Sequence, residues 1–445
     1  SKKSLQHTSS VLMRLHDIAF YTALFAILGI AAAGLELNIW LASLTWLAVV
    51  TGFYGFRKFH WKYFLILPLI GFLGFFYSYF YFALQEESVI FGEEIVFQGD
   101  VFKEPTHGLK SEEIDIKLRP PYEGEARIYT EPSREFHYGD LIEVKGEVNR
   151  SPTGRLNIVS FPEITIISSN NGNLIKTKLF QFKESLISNL DAVLSPREAA
   201  LMSGILLGER AEFTPEFKDQ LNRSGTTHIV ALSGYNISII GWTLTGILGL
   251  FFRRRWAFHL SLFAIPLFVI MTGAEASVVR AGIMGMIVLL AQKQSRLYSV
   301  RNAVTITALL MLVVNPKLLV FDLGFQLSFA ALLGIVYFFP YLERRLKWQD
   351  KEGSVFELKK TGLQTFSAQL AVAPILLIKV GYLSATALIA NILILTFIPL
   401  TMFFGFLTAI LGFASYELSL VTGLFANFIL NYEILVIKFF ALSWL

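Results

Sequence analysis

The chain has 445 residues, of which 54% are hydrophobic and 16% are charged, and its formal net charge is +4. Soluble domains usually carry about 25% charged residues, so this composition argues against a soluble protein and for one that crosses a membrane several times. There is no cysteine, which excludes disulfide bonds, thiolate zinc sites and cysteine nucleophiles.

The first region, residues 1–85, contains three apolar segments of membrane-spanning length, at 18–34, 38–56 and 63–84. The first of them is preceded by polar residues and lacks a small-residue cleavage site. This pattern favours a retained span over a signal peptide. We therefore predict an N-terminal region with three transmembrane helices.

Residues 86–173 have a different pattern, because apolar and polar residues alternate with period two in several short stretches. Such alternation, interrupted by Pro, Gly and Asn, is typical of half-buried strands. Tyr138, Gly139 and Asp140 precede one of these stretches, as in the tight turn and strand of a small oligonucleotide-binding (OB) barrel. The sequence therefore predicts an inserted small all-β OB-like domain.

This β-domain has candidate contacts for a single nucleic acid strand, since such barrels combine a basic groove with stacking aromatics. Lys117, Arg119 and Arg127 are a candidate basic strip, and Tyr129 is a candidate stacking residue. Between residues 93 and 163, however, nine Lys and Arg stand against 15 Asp and Glu, a net charge of −6. Packing in the barrel core and mouth is the alternative role for its aromatic residues.

Residues 174–227 are predicted to form amphipathic helices that lead into the membrane part. Two of the helices should begin at Ser195-Pro196 and Thr214-Pro215, where a capping residue precedes proline. Residues 228–445 are mostly apolar, with a charged break at 343–360. By length, the whole chain has room for about ten spans or partial spans.

The distribution of Lys and Arg predicts the orientation. Basic residues cluster before the first span, between the second and third, and in three later loops, at 2–14, 57–62, 253–255, 293–301 and 344–360. If these segments are cytoplasmic, the N-terminus is inside and the β-domain is extracytoplasmic.

A polar run stands at the threshold of an apolar segment, from Gly225 through His228, Ser233, Gly234 and Tyr235 to Asn236. An unpaired polar group in lipid costs several kcal/mol, so these side chains should face protein or water.

Arg280 would cost about 2.5–3.5 kcal/mol at a helix centre, and Glu275 and Asp322 are its candidate partners. Gln326 and Ser328 either line a polar path or join helices by hydrogen bonds.

Several blocks, in order along the chain, resemble the ComEC family of competence proteins. They are Leu194 to Arg210, the Gly-x-x-His and Ser-Gly pattern of Gly225 to Gly234, Ser277-x-x-Arg280-Ala281, and Gly324-Phe-Gln326-Leu-Ser328. One departure is Tyr235-Asn236, where the family commonly has a histidine. Asparagine keeps a donor and an acceptor but does not titrate.

The resemblance implies an inner-membrane channel of bacteria that brings single-stranded DNA inward during natural transformation. It implies the lipid bilayer, an extracytoplasmic DNA receptor, a cytoplasmic ATP-driven motor and a separate nuclease as partners. From the motifs of the chain itself we expect no enzyme activity, metal or cofactor. Oligomeric state is left open. The candidate DNA path comprises Gly225, His228, Ser233, Gly234, Tyr235, Asn236, Arg280, Asp322, Gln326 and Ser328.

Many family members also have a C-terminal metallo-β-lactamase-like domain. None of the seven histidines belongs to a His-x-His-x-Asp-His cluster, so we expect a form or fragment without that domain.

Two other functions compete with the channel. A small-solute or lipid transporter would share broken helices and polar linings. An intramembrane serine protease would use Ser233 as its nucleophile, but the nucleophile needs a base within hydrogen-bond reach. His228 lies five residues earlier and does not share the face of Ser233 on a straight helix.

Overall fold

A computed structural model describes residues 15–35, 61–84, 89, 91–108, 110–133, 135–150, 157–169, 171–209, 213–230, 232, 234–293, 299–346, 354–381, 384 and 386–442. The predicted span at 38–56 and Ser233 lie outside these residues. The chain divides into two compact units, Ser1–Gln85 with Met286–Leu332, and Glu86–Gly285 with Leu333–Leu445.

The helices are, in chain order, α1 (Leu15–Gly34), α2 (Trp61–Ala83), α3 (Leu174–Asp191), α4 (Pro196–Leu207), α5 (Pro215–Ser224), α6 (Thr227–Val230), α7 (Gly234–Phe251), α8 (Arg254–Met271), α9 (Ala276–Lys293), α10 (Val300–Val314), α11 (Leu318–Phe321), α12 (Leu323–Leu333), α13 (Phe339–Arg345), α14 (Ser354–Lys379), α15 (Ala387–Leu395), α16 (Ile398–Leu411) and α17 (Tyr416–Leu442). A π-helical turn, Gly334–Phe338, joins α12 to α13.

Within the described residues, six helical segments are long and apolar enough to cross a membrane: Asp17–Gly34, Ile66–Ala83, Arg254–Met271, Leu323–Arg345, Lys359–Lys379 and Tyr416–Leu442. The pair α15 and α16 also meets this criterion but is bent by 50° at its break, and α9 and α10 contain shorter apolar stretches. The protein is therefore a polytopic α-helical membrane protein, as its composition predicts.

The β-domain consists of β1 (Glu94–Val101), β2 (Thr106–His107), β3 (Glu112–Leu118), β4 (Glu125–Thr130), β5 (Leu141–Arg150), β6 (Asn157–Ser160) and β7 (Glu163–Ser168). Five strands close into a ring in the order β1, β3, β4, β6, β5, because β5 also pairs with β1. The β4–β6 pair is parallel and the other pairs are antiparallel. The ring encloses apolar side chains such as Ile114, Ile128 and Val144. This closed barrel confirms the OB-like prediction.

The β-domain is fixed to α3 through its tight turn. Gly139 has a φ of +89°, and a Cβ there would lie 2.4 Å from the backbone nitrogen of Gly172. The backbone N–H of Asn173 donates to the Tyr138 hydroxyl (3.2 Å), and the Tyr138 ring meets Phe180 edge to face at 5.3 Å. Asn173 also caps α3 by accepting from the N–H of Ile175.

The main apolar core of the unit that contains the β-domain lies among α3, α4, α5, α15, α16 and α17. Helix α4 is buried on all sides from Ala199 to Leu207. The predicted starts of α4 and α5 are confirmed, since Ser195 and Thr214 are their N-cap residues and a proline follows each.

In the other unit, α1 and α2 pack closely through glycines. A Cβ on Gly29 would lie 2.0 Å from the carbonyl oxygen of Gly71, and one on Gly74 would lie 2.5 Å from that of Ala26. Small residues at such positions let membrane helices approach closely. Arg301 of α10 pairs with Asp17 of α1, and its guanidinium stacks 4.4 Å above the Phe20 ring.

Candidate functional site

The polar run begins where α5 ends, and glycine conformation fixes that end. Gly225 has a φ of +70°, which L side chains rarely adopt. A Cβ there would also lie 2.5 Å from the Cβ of Ala387 at the start of α15. The Ser384 hydroxyl donates to the carbonyl of Arg223 at 2.7 Å. These contacts fix the end of α5 beside the start of α15.

The end of the polar run packs back on α4. A Cβ on Gly204 would lie 2.4 Å from Val230, and one on Gly208 would lie 2.9 Å from Leu232. Asn236 is 2% exposed and donates from Nδ2 to the carbonyl of Ile205 at 3.1 Å. Asn236 therefore joins the first turn of α7 to α4.

The first turns of α7 and α9 meet at one place. The Ser277 hydroxyl donates to the carbonyl of Leu232 at 2.9 Å, just before α7 begins. An ideal Cβ on Gly234 would lie 2.8 Å from Nη2 of Arg280, one turn into α9. The Arg280 guanidinium thus occupies the space that the missing side chain of Gly234 leaves.

Three sources of positive potential therefore lie close together. The amino end of a helix carries about half a positive charge from its unpaired N–H groups, and the amino ends of α7 and α9 both lie beside Arg280. The apolar cluster of Leu232, Ile237, Val278 and Ala281 adjoins them and keeps the local dielectric low. An arrangement of this kind favours a phosphate or another anion.

The remaining residues of the polar run are His228, Ser233 and Tyr235. The His228 side chain is exposed on α6, so its role in a path stays a prediction. Ser233 lies outside the described residues, and so does the side chain of Tyr235. The protease alternative therefore also stays untested.

Asp322, Gln326 and Ser328 belong to the other compact unit. Asp322 accepts from the N–H of Phe325 at 2.6 Å and caps α12. Gln326 donates from Nε2 to the carbonyls of Leu319 (3.0 Å) and Val320 (2.7 Å) at the end of α11. Ser328 is half-buried. These contacts of Asp322 and Gln326 satisfy backbone hydrogen-bonding groups at the ends of helices. A role of the three residues in a DNA path stays a prediction.

The candidate basic strip of the β-domain is largely neutralised by neighbouring carboxylates. Arg119 donates twice to Asp100, at 2.7 and 2.8 Å. Arg127 donates twice to Asp115, at 2.7 and 3.0 Å. Lys117 is exposed and has no ion pair with a described residue, and Tyr129 is half-buried.

Asp115 shows the electrostatic strength of this pairing. Burial alone would raise the pKa of the Asp115 carboxyl, but hydrogen bonds and attraction from Arg127 and Lys103 lower it below its ordinary value. Arg127 is thus committed to a carboxylate that stays ionised at neutral pH.

A buried ion-pair cluster, which sequence reasoning missed, joins the β-domain to the membrane part. Lys183 of α3 is 5% exposed, and its Nζ lies 2.7 Å from Glu104 and 3.0 Å from Glu209. Burial alone would lower the pKa of Lys183, but the two carboxylates raise it above its ordinary value. A signal was present, because Lys183 lies three residues before Leu186 and seven before Leu190, on the apolar stripe of α3.

The described residues contain no group of three or more His, Asp or Glu side chains that could hold a metal ion.

Comparison with known proteins supports the sequence resemblance. A family model described as Competence protein matches residues 205–444, more than half of the chain. ComE operon protein 3 of Bacillus subtilis (strain 168) is 28% identical over 228 residues, which cover 50% of this chain and 27% of that protein. The matched region thus covers about a quarter of the length of that relative. No solved structure matches the chain.

Proposed function

The chain belongs to the competence protein family, and from this premise we propose that it conducts single-stranded DNA inward across the bacterial cytoplasmic membrane. Family membership and the membrane helices support a role in competence DNA uptake. The finer assignment, a channel for one strand, is our proposal.

The observation that supports it best is the junction of α7, α9 and Arg280. A DNA strand carries one negative charge on each phosphate, and the junction offers a guanidinium and two helix amino ends beside an apolar cluster. Transporters place the amino ends of interrupted helices at the anionic group of their substrate in the same way. Because the contacts come from dipoles and one cation, phosphates can be attracted without being held tightly, as conduction requires.

The proposed partners follow from membership of the competence family and from the predicted orientation. The acidic β-domain, extracytoplasmic in this proposal, attracts DNA weakly, so a DNA receptor outside delivers the strand. These 445 residues contain no Gly-x4-Gly-Lys-Ser/Thr loop, and in this proposal an ATP-driven motor in the cytoplasm pulls the strand. A nuclease removes the other strand.

The proposal is tested by uptake of labelled DNA in a transformable host whose own channel is replaced by this chain. We expect Arg280→Gln to lower uptake by at least tenfold, and Arg280→Lys to retain part of it because the charge is kept. Arg254→Gln is the matched control, since Arg254 is exposed at the start of α8. Wild-type uptake by Arg280→Gln, at equal protein level, would remove the junction from the DNA path.

A further inference from the structure

A buried carboxyl group faces the break of a membrane helix. Glu433 lies in the span Tyr416–Leu442 and is 1% exposed. Its Oε1 is within hydrogen-bond distance of the hydroxyl of Thr401, which lies just after the break between α15 and α16. At the same break, the ring of Phe397 meets that of Tyr432 at 4.9 Å. Carboxyl groups inside membranes are rare and mark functional sites by default.

The hydrogen bonds of Thr401 indicate where a proton lies. The Thr401 hydroxyl is also 3.2 Å from the carbonyl of Phe397, which can only accept. A hydroxyl has a single hydrogen, so it cannot donate fully to both oxygens. If Thr401 donates to Phe397, its contact with Glu433 requires a hydrogen on the carboxyl group. A protonated Glu433 therefore satisfies both contacts, whereas an ionised one leaves them in competition.

A second oxygen of Glu433 supports the same assignment. Oε2 is buried and has no hydrogen-bond partner among the described residues. Asn391 of α15, on the other side of the break, is 1% exposed, and its Oδ1 likewise has no such partner. Leu430, Ile434 and Ile437 beside Glu433 on α17 belong to the main apolar cluster. An ionised carboxylate would be strongly destabilising here without a compensating cation, because its desolvation costs several kcal/mol.

No cation compensates Glu433 within the described part of the chain. Helices α4, α5, α15 and α16 pack against α17, and α15 and α16 contain no charged residue. The charged residues of the other two helices are Arg197, Glu198, Glu216, Lys218, Asp219 and Arg223. Arg197 bonds to Gln220 and Arg223 to Asp219, and none of the six forms an ion pair with Glu433.

We propose that Glu433 and Thr401 form a proton-binding site at the break between α15 and α16. The proton neutralises the carboxyl group while the site is closed, as in this structure. Its release requires water or a cation to reach Glu433, and the bent helix pair is the element whose opening would admit them. This inference concerns the occupant of the site and does not depend on DNA passage.

The test is labelling of the purified full-length chain, in lipid, with the apolar reagent dicyclohexylcarbodiimide, which reacts with protonated carboxyl groups. We expect mass spectrometry to find the adduct on Glu433 at neutral pH. Glu417, an exposed carboxyl group on the same helix, should stay unlabelled. The Glu433→Gln variant keeps the shape of the neutral side chain, so it should fold like the wild type and lose the adduct.

Two results would overturn the proposal. Absence of the adduct on Glu433, in protein that remains folded and yields adducts once denatured in acid, would show that the site holds no proton. Protection of Glu433 by sodium but not by potassium, at constant pH, would make it a metal cation site instead. Neither result bears on DNA uptake by Arg280 variants, so failure here is distinguishable from failure of the channel proposal.

Discussion

Gly234 illustrates how a single residue can matter through the space that it leaves. Its backbone does not have the positive φ that favours glycine at Gly208 and Gly225. What glycine provides at this position is room for the Arg280 guanidinium beside the first turn of α7. The requirement is therefore steric, and alanine is enough to test it.

We predict that Gly234→Ala displaces the Arg280 guanidinium, because the new Cβ would lie 2.8 Å from Nη2. DNA uptake should fall to the level of Arg280→Gln. Gly249→Ala, on the same helix with nothing within 4 Å of its Cβ, should leave uptake unchanged and stabilise α7 by up to about 1 kcal/mol. Equal uptake by the two variants at matched expression would contradict the steric argument.

Sequence reasoning selected several residues of this junction but not their contacts. Asn236 and Arg280 stood out because polar groups in lipid are costly. The carbonyl that Asn236 bonds to belongs to Ile205, which lies 31 positions earlier, and no local pattern predicts such a pair. For Gln326 the sequence leaves a path and helix-joining hydrogen bonds as alternatives, and its amide bonds to carbonyls at the end of α11.

At the scale of elements, the Lys183 cluster is an ionic link between the barrel and the helices of the same unit. Glu104 belongs to the loop after β1, Lys183 to α3, and Glu209 follows the end of α4. Since the pKa of Lys183 is raised, its contribution to stability is complete below the ordinary lysine value. That contribution is lost only as pH rises through the higher folded value, so it is intact at neutral pH.

We predict that Lys183→Met destabilises the protein by up to about 3–5 kcal/mol, because two half-buried carboxylates lose this cation. Adding Glu104→Gln and Glu209→Gln should recover most of the loss, since the two negative charges that face Lys183 are then removed as well. Thermal unfolding in detergent measures both effects, and Lys178→Met, at an exposed lysine of α3, is the control. A triple variant as unstable as Lys183→Met would show that packing, not charge, is responsible.

The barrel was the most predictable element, because period-two alternation reports directly on a half-buried sheet. One of the alternating stretches within residues 86–173, Glu-Ile-Val-Phe-Gln-Gly-Asp-Val, is strand β1 in the structure. Strand β6 has four residues, and β7 leaves most of its residues exposed. The period-two signal in the sequence is therefore weak for those two strands. The ring closure between β1 and β5 joins strands about 45 residues apart and has no local signal.

We predict that a protein comprising residues 86–173 binds single-stranded DNA weakly and loses affinity as salt rises, as counterion release requires. The reason is that Arg119 and Arg127 are paired with carboxylates. Asp100→Asn should strengthen binding by freeing Arg119. Glu147→Gln removes the same charge from an exposed site without a described ion pair, so it should have a smaller effect. Fluorescence anisotropy against salt concentration measures this, and tight, salt-insensitive binding by the wild type would contradict it.

At the scale of the whole chain, the structure limits the ways in which the membrane part can be oriented. The ring of Phe182 stacks on that of Phe413 at 5.9 Å, and Asn189 donates to the carbonyl of Ala409. Lys183, next to Phe182, touches the β-domain. The turn between α16 and α17 is therefore on the same side of the membrane as the β-domain.

This shared side has a consequence for the pair α15 and α16. The distribution of Lys and Arg among the loops predicts that the loop after α13 is cytoplasmic and that the β-domain is outside. The span Lys359–Lys379 crosses the membrane between that loop and α15. If the bent pair crossed again, the turn at 412–415 would be inside and could not lie beside an outside β-domain. Both conditions hold only if the pair enters and leaves on the same side.

We therefore predict that α15 and α16 form a re-entrant segment, with the turn after α16 outside and the loop after α13 inside. The chain has no cysteine, so single cysteines can report the side directly. In intact cells, a membrane-impermeant maleimide should label Glu123→Cys in the β-domain and Ala414→Cys in the turn. Leu346→Cys, exposed at the end of α13, should be labelled only after permeabilisation. Labelling of all three variants from outside would show that the bent pair crosses fully and that charge bias misplaces the loop, because the contacts of α3 keep the turn with the β-domain in either case.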